Sequence, residues 1–194
     1  MNRLYPFLLL IITLSSCKQE PVFTEVKVNE RYSIQMPDYL QPCVDLHKDA
    51  SLQYQNLEKD IYAMVIDEKK ITMEEYSLDY DLDLYFNSLV SQPFMESIQD
   101  GKVSPPGRQK IDGHKALVAE ITGKIDKYDV YYRLGLIETP YEFYQILIWT
   151  RAQNKEQFEP DMIRMIESFK ELPHPKEELP QPKLSDSVVI APAW

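Results

Sequence analysis

The chain is poor in the residues from which most catalytic and metal sites are built. It holds two cysteines, three histidines and five glycines in 194 residues. Two cysteines cannot supply a thiolate-rich zinc site, and His47, His114 and His174 are not spaced as ligands. Five glycines leave no phosphate-cradling loop, and no Gly-x-Ser-x-Gly elbow occurs. A Ser–His–Asp triad needs a histidine beside an activated serine. Here His114 follows a turn signal and His174 lies between two prolines. Carboxylate pairs carry no argument, because 31 Asp and Glu residues make pairs by chance. The chain therefore reads as a non-enzyme with no cofactor and no metal. Positive charge is also scarce, with 21 Lys and Arg and a net charge of −10. That excludes the basic footprint of a nucleic-acid binder. Long apolar runs are missing as well. The run from Leu4 to Leu14 would rise only about 16 Å as a helix, and a span of the ~30 Å bilayer core needs ~20 residues.

What that run offers instead is an address. Arg3 supplies a positive start, Leu4 to Leu14 an apolar core, and Ser15 and Ser16 the small residues a signal peptidase needs. A small pair running straight into Cys17 resembles the bacterial lipoprotein lipobox. The resemblance implies that residues 1–16 are a signal peptide and that Cys17 is the site of lipid attachment. One acyl chain holds a protein only marginally, at about 0.8 kcal/mol per buried methylene. The two or three chains of a mature lipoprotein would make the anchorage effectively permanent. Lys18 is not the aspartate that retains such proteins in the inner membrane, and the charged Lys18-Gln19-Glu20 resembles surface-export signals. The expected location is the bacterial cell envelope, lipid-anchored at the outer membrane, on its periplasmic side or at the surface. Without residues 1–16 the chain loses Arg3 and no acid, which leaves a net charge of −11. Lipid, not charge, would then hold it to an anionic surface.

Residues 17–29 are short and polar and read as a tether. Residues 30–172 read as one domain, a length that buries about two-thirds of its unfolded surface without metal or disulfide. A monomer is expected. With Cys17 acylated, Cys43 has no internal partner. Pro173, Pro175, Pro180, Pro182 and Pro192 make 173–194 an extended tail. Val188-Val189-Ile190 and Trp194 are apolar exceptions within it.

Periodicity gives the elements. Tyr32, Ile34 and Met36 alternate with Ser33 and Gln35 as a half-buried strand, and 37–50 reads as loop. The runs around Leu52–Asn56 and Ile61–Ile66 read as a hairpin. Leu78, Leu82, Tyr85, Phe86 and Leu89 recur at helical spacing, with Asp79, Asp81 and Asp83 at the positive end of the helix dipole. Those aspartates imitate the start of a calcium loop. Leu84 and Val90 stand where an EF-hand needs its glycine and its bidentate glutamate, so calcium is excluded.

From Gly107 the pattern is β. Asp112-Gly113 is a tight-turn signal between 108–111 and 114–122. In 128–137, Val130, Tyr132, Leu134 and Leu136 share one face, with Tyr131 and Ile137 opposite. In 142–151, Phe143, Leu147 and Trp149 oppose Tyr144, Ile146 and Ile148. Apolar residues on both faces predict a central hairpin covered on two sides, with Trp149 largely buried. A closing helix carries Phe158, Met162, Met165, Ile166 and Phe169. Asn154 is its expected N-cap, and Pro160 its expected regular start.

The fold class is α+β, a mainly antiparallel sheet packed between helices. Tyr32-Ser33-Ile34-Gln35-Met36-Pro37, Ile111-Asp112-Gly113-His114-Lys115-Ala116 and Ile166-Glu167-Ser168-Phe169 resemble the PsbP-like superfamily. That family often has Gly-Trp after the first strand's proline, where this chain has Asp38-Tyr39-Leu40. The resemblance implies a PsbP-like fold and an accessory or binding role, and no shared catalytic residue. Two functions follow as expectations. One is a binding or accessory module for an envelope protein partner. The other is a small-ligand carrier with a pocket between sheet and helix.

Overall fold

The computed structural model describes residues 20–70, 81–90 and 93–173. The expected signal peptide, Cys17, Leu78, Asp79 and the expected tail from His174 onward lie outside them. In chain order the elements are β1 (Phe23–Val28), β2 (Tyr32–Pro37), β3 (Gln41–Pro42), β4 (Ala50–Asn56) and β5 (Ile61–Lys69). Next come α1 (Leu82–Val90), α2 (Pro93–Glu96), β6 (Gln99–Val103), β7 (Gly107–Ile111), β8 (His114–Ile125), β9 (Tyr128–Glu138) and β10 (Glu142–Arg151). A 3-10 turn (Ala152–Asn154), α3 (Lys155–Glu167) and β11 (Lys170–Glu171) complete the described chain.

Two antiparallel sheets result. The large one runs β3-β4-β5-β10-β9-β8-β6, with β7 also on β8; the small one runs β1-β2-β11. The β7–β8 turn is Asp112-Gly113, with φ of 50° and 82°. Positive φ at both central residues matches the twist of a two-residue hairpin, and only Gly adopts the second without cost. The period of two along β9 and β10 assigns their faces as the sequence predicts. Tyr131, Ile137, Tyr144, Ile146 and Ile148 join one core with α3 and the small sheet. Val130, Tyr132, Leu134, Leu136, Phe143 and Leu147 join a second core with α1. The central hairpin is therefore covered on both sides.

The stripe of α3 buries Phe158, Met162, Met165 and Ile166. Gly135 on β9 lets that helix come close. A Cβ there would lie 2.6 Å from Ile166 Cγ2, well inside van der Waals contact. Tyr32, Tyr144 and Phe169 meet beside this helix, with centroids 4.8–5.7 Å apart. Such contacts add about 0.5–1.5 kcal/mol per pair beyond area burial.

Three expectations need correction. The tether read over 17–29 is a strand from Phe23, paired with β2 from Phe23↔Pro37 to Val28↔Tyr32. Three apolar residues among charges do not announce a strand, but β2 supplies the edge, and Phe23, Val26 and Val28 reach the core. Flanked by β1 and β11, β2 also buries Ser33, whose hydroxyl donates to Glu25 at 2.9 Å. Asn154 makes no side-chain cap; its amide donates to the Lys59 carbonyl at 3.3 Å. Pro160 lies inside α3 and not at its start. The missing amide frees the Glu156 carbonyl, and both residues are exposed, so that carbonyl is left open to solvent and not buried unpaired.

Candidate functional site

The site begins with α1. Asp81 accepts the Leu84 amide at 2.8 Å and so caps the helix. Asp83 pairs with Arg108 of β7 at 2.5 Å, and that hydrogen bond holds its carboxyl below the ordinary range. The described members of the calcium-like run are thus taken up by a cap and an ion pair. Leu82, Tyr85 and Phe86 turn inward, and Tyr85 stacks on Phe143 at 4.4 Å.

Past this anchor, α1 leaves a cleft of about 410 Å³ against the large sheet. Its walls are Met64 and Ile66 of β5, Leu134 of β9, Leu147 of β10, and Leu89 and Val90 of α1. The volume falls in the ~300–1,000 Å³ range of small-molecule sites, and the lining has their mostly apolar character. One end is polar. Gln145 is only 8% exposed, and its amide nitrogen donates to Tyr85 Oη at 2.5 Å and to Glu68 Oε1 at 3.2 Å. Burial raises the pKa of the Tyr85 phenol, and the Glu68 charge raises it further, so the hydroxyl stays neutral. The loop carrying His47 and Asp49 forms the rim. Gln53 shapes that loop by accepting the Leu46 and His47 amides at 2.7 and 3.1 Å.

Beyond the cleft the same face carries a row of rings. Trp149 stacks on Tyr62 at 5.2 Å and on Tyr132 at 5.7 Å. Trp149 is mostly covered, as expected, but falls short of the full burial of its neighbours. Its face is the predicted one, but it stands only at the margin of the second core, whereas Phe143 lies under Tyr85.

At one end of β10 sits a buried ionic cluster. Arg31 bonds Asp67 and also Glu142, the latter at 3.0 Å, and both carboxylates are nearly buried. His114 lies 3.0 Å from Glu171, which ties β8 to β11. The histidines are not gathered, since His47 is on the cleft rim and His114 on β8; His174 lies outside the described residues. Cys43 is half-buried in the β3–β4 loop, where burial and Asp45 push its thiol pKa up, the direction of an unreactive thiol. Among the described residues no cluster of three or more His, Cys, Asp or Glu is placed to hold a metal. No described helix is long and apolar enough to cross a membrane.

Periodicity alone passes over Gln145 and Glu68. Their signal is a polar residue interrupting an apolar face, as Gln145 does between Phe143 and Leu147.

No protein-family model and no curated protein matches the chain. Solved structures do. The fold is similar to cyanobacterial PsbP from Synechocystis, with a TM-score of 0.55 at 10% identity over 81% of this chain and 98% of that one. It is equally similar to LpqN of Mycobacterium tuberculosis, described as involved in cell envelope biogenesis, with a TM-score of 0.55 at 10% identity over 80% and 93%. A point mutant of Mog1 gives 0.51 at 10% identity over 78% and 96%. The fold is PsbP-like α+β. At such identities the likeness is one of fold alone.

Proposed function

We propose that the protein is a non-catalytic binding module of the bacterial cell envelope, anchored by lipid on Cys17 at the outer membrane. Its ligand occupies the cleft under α1. The observation that carries this reading is the cleft itself, with apolar walls and one polar end fixed by Gln145, Glu68 and Tyr85. This geometry favours the small-ligand carrier over the module for a protein partner. The partner reading retains one support, the partly exposed pair Tyr62 and Trp149 beside the cleft. Partly exposed aromatic residues of this kind are enriched at protein interfaces.

Two measurements test the proposal. Palmitate labelling of native cells should mark the wild-type chain and not Cys17→Ser; normal labelling of the variant removes the anchor. Native mass spectrometry of the full chain from its membrane fraction should show a co-purified small molecule. A clean mass of the bare chain, with a protein cross-linked next to Trp149, would replace the carrier with the partner reading.

A further inference from the structure

The cleft also has a sign. Among the described residues its lining includes Asp49, Asp67 and Glu68 and no lysine or arginine. Asp67 shares Arg31 with Glu142, one cation between two carboxylates, so the lining stays net negative, with Glu68 and Asp49 free of any such pairing to Lys or Arg among the described residues. The Gln145 amide nitrogen is committed to Tyr85 and Glu68. Only the nitrogen can meet a carboxylate, so the amide orientation is fixed. The Gln145 carbonyl Oε1 accepts no hydrogen bond from any described residue. Beside an apolar wall, the polar end therefore presents two adjoining acceptors, an amide oxygen and a carboxylate. An ammonium group offers three donors and a positive charge, which complements both. A carboxylate or phosphate headgroup would meet like charge and acceptors facing acceptors. The chain's net charge of −10 draws cations and repels anions over longer range.

We infer that the cleft selects small cationic amphiphiles, with the primary ammonium at Glu68 and Gln145 and an alkyl or aralkyl body against Met64, Leu134 and Leu147. The inference rests on the binding reading above and adds the charge of the ligand. It explains why a buried glutamine interrupts the apolar face of β10. Leucine there would enlarge the apolar wall but would neither orient Glu68 nor present an acceptor.

The test uses three molecules of one body: octylammonium, octan-1-ol and octanoate. Each is titrated calorimetrically at pH 7 into the full-length protein in nanodiscs, with empty nanodiscs as blank. The expected order is octylammonium, then octanol, then octanoate, with at least a tenfold difference between the two ions. Glu68→Gln keeps the size and an acceptor but removes the charge, and should reduce that ratio severalfold. Val90→Trp, on the half-buried helix side of the cleft, should weaken all three. Equal or tighter octanoate binding overturns the inference, as does an unchanged ratio in Glu68→Gln. If all three bind without preference and Val90→Trp weakens them together, the cleft remains a binding site and only the charge selection fails. If none binds, both readings fail.

Discussion

Gly135 offers the sharpest test of how α3 is seated. It is on β9, on the face that receives the helix, and a Cβ built there would sit 2.6 Å from Ile166 Cγ2 and 3.3 Å from Cγ1. Two opposing terms act in Gly135→Ala. Loss of backbone freedom in the unfolded chain favours alanine by about 0.4–1 kcal/mol. Overpacking a filled core costs about 1–3 kcal/mol. Ile166 is 1% exposed and belongs to the buried stripe, so it has no free direction in which to retreat, and the clash should win. The expected net cost is ~1–2 kcal/mol, or a midpoint lowered by about 2–8 °C at this chain length. Ile166→Ala alone should cost about 2–5 kcal/mol through the cavity it leaves. Together the two changes should be less harmful than their sum by ~1 kcal/mol or more, because the new methyl enters the vacated space. Ile166→Val is the control, since it retains the Cγ2 that clashes and should not rescue. Urea denaturation of the four corners of the cycle measures the coupling. Strict additivity, or a neutral Gly135→Ala, would show that α3 does not rest on β9 at this point.

Two further outcomes follow from the placement of particular side chains. Phe143 is 1% exposed under Tyr85, and its truncation to alanine should cost about 3–5 kcal/mol. Trp149 is less fully buried, and Trp149→Ala should cost about 1–3 kcal/mol. A Trp149→Ala protein that melts below Phe143→Ala would put the open end of this face in the wrong place. The second outcome concerns pH. The hydrogen bond from Lys155 holds the Glu120 carboxyl below its ordinary value, with Arg133 assisting against desolvation. A carboxylate lowered on folding stabilises fully above its unfolded pKa of about 4.3, and that contribution is lost as pH falls through the folded value. Wild type should therefore melt above Glu120→Gln near pH 7, by no more than about 3 °C for so exposed a pair, with the gap closing below ~pH 4. A gap that widens in acid would reverse the assignment.

The two faces of the β9–β10 hairpin were legible in the sequence, because a strand's period of two leaves no freedom once one residue is placed. Val130, Tyr132, Leu134 and Leu136 could only lie together, and they do. Asp112-Gly113 and the stripe from Phe158 to Phe169 were legible for the same reason: local stereochemistry and local spacing determine them. The strand at Phe23–Val28 was not, since its few apolar residues acquire meaning only from the free edge of β2. Nor was the residual exposure of Trp149, which depends on how far α1 reaches across a face that is apolar on either side of Gln145. The cleft is the extreme case. Its floor joins Glu68, Tyr85 and Gln145, residues 60 and 77 positions apart in two of the pairings, through bonds that no local spacing encodes. Sequence alone determined which residues face which way along each element. Tertiary structure decided which of those faces is covered and where polar groups converge, because burial and long-range hydrogen bonding belong to the packed assembly and not to any one element.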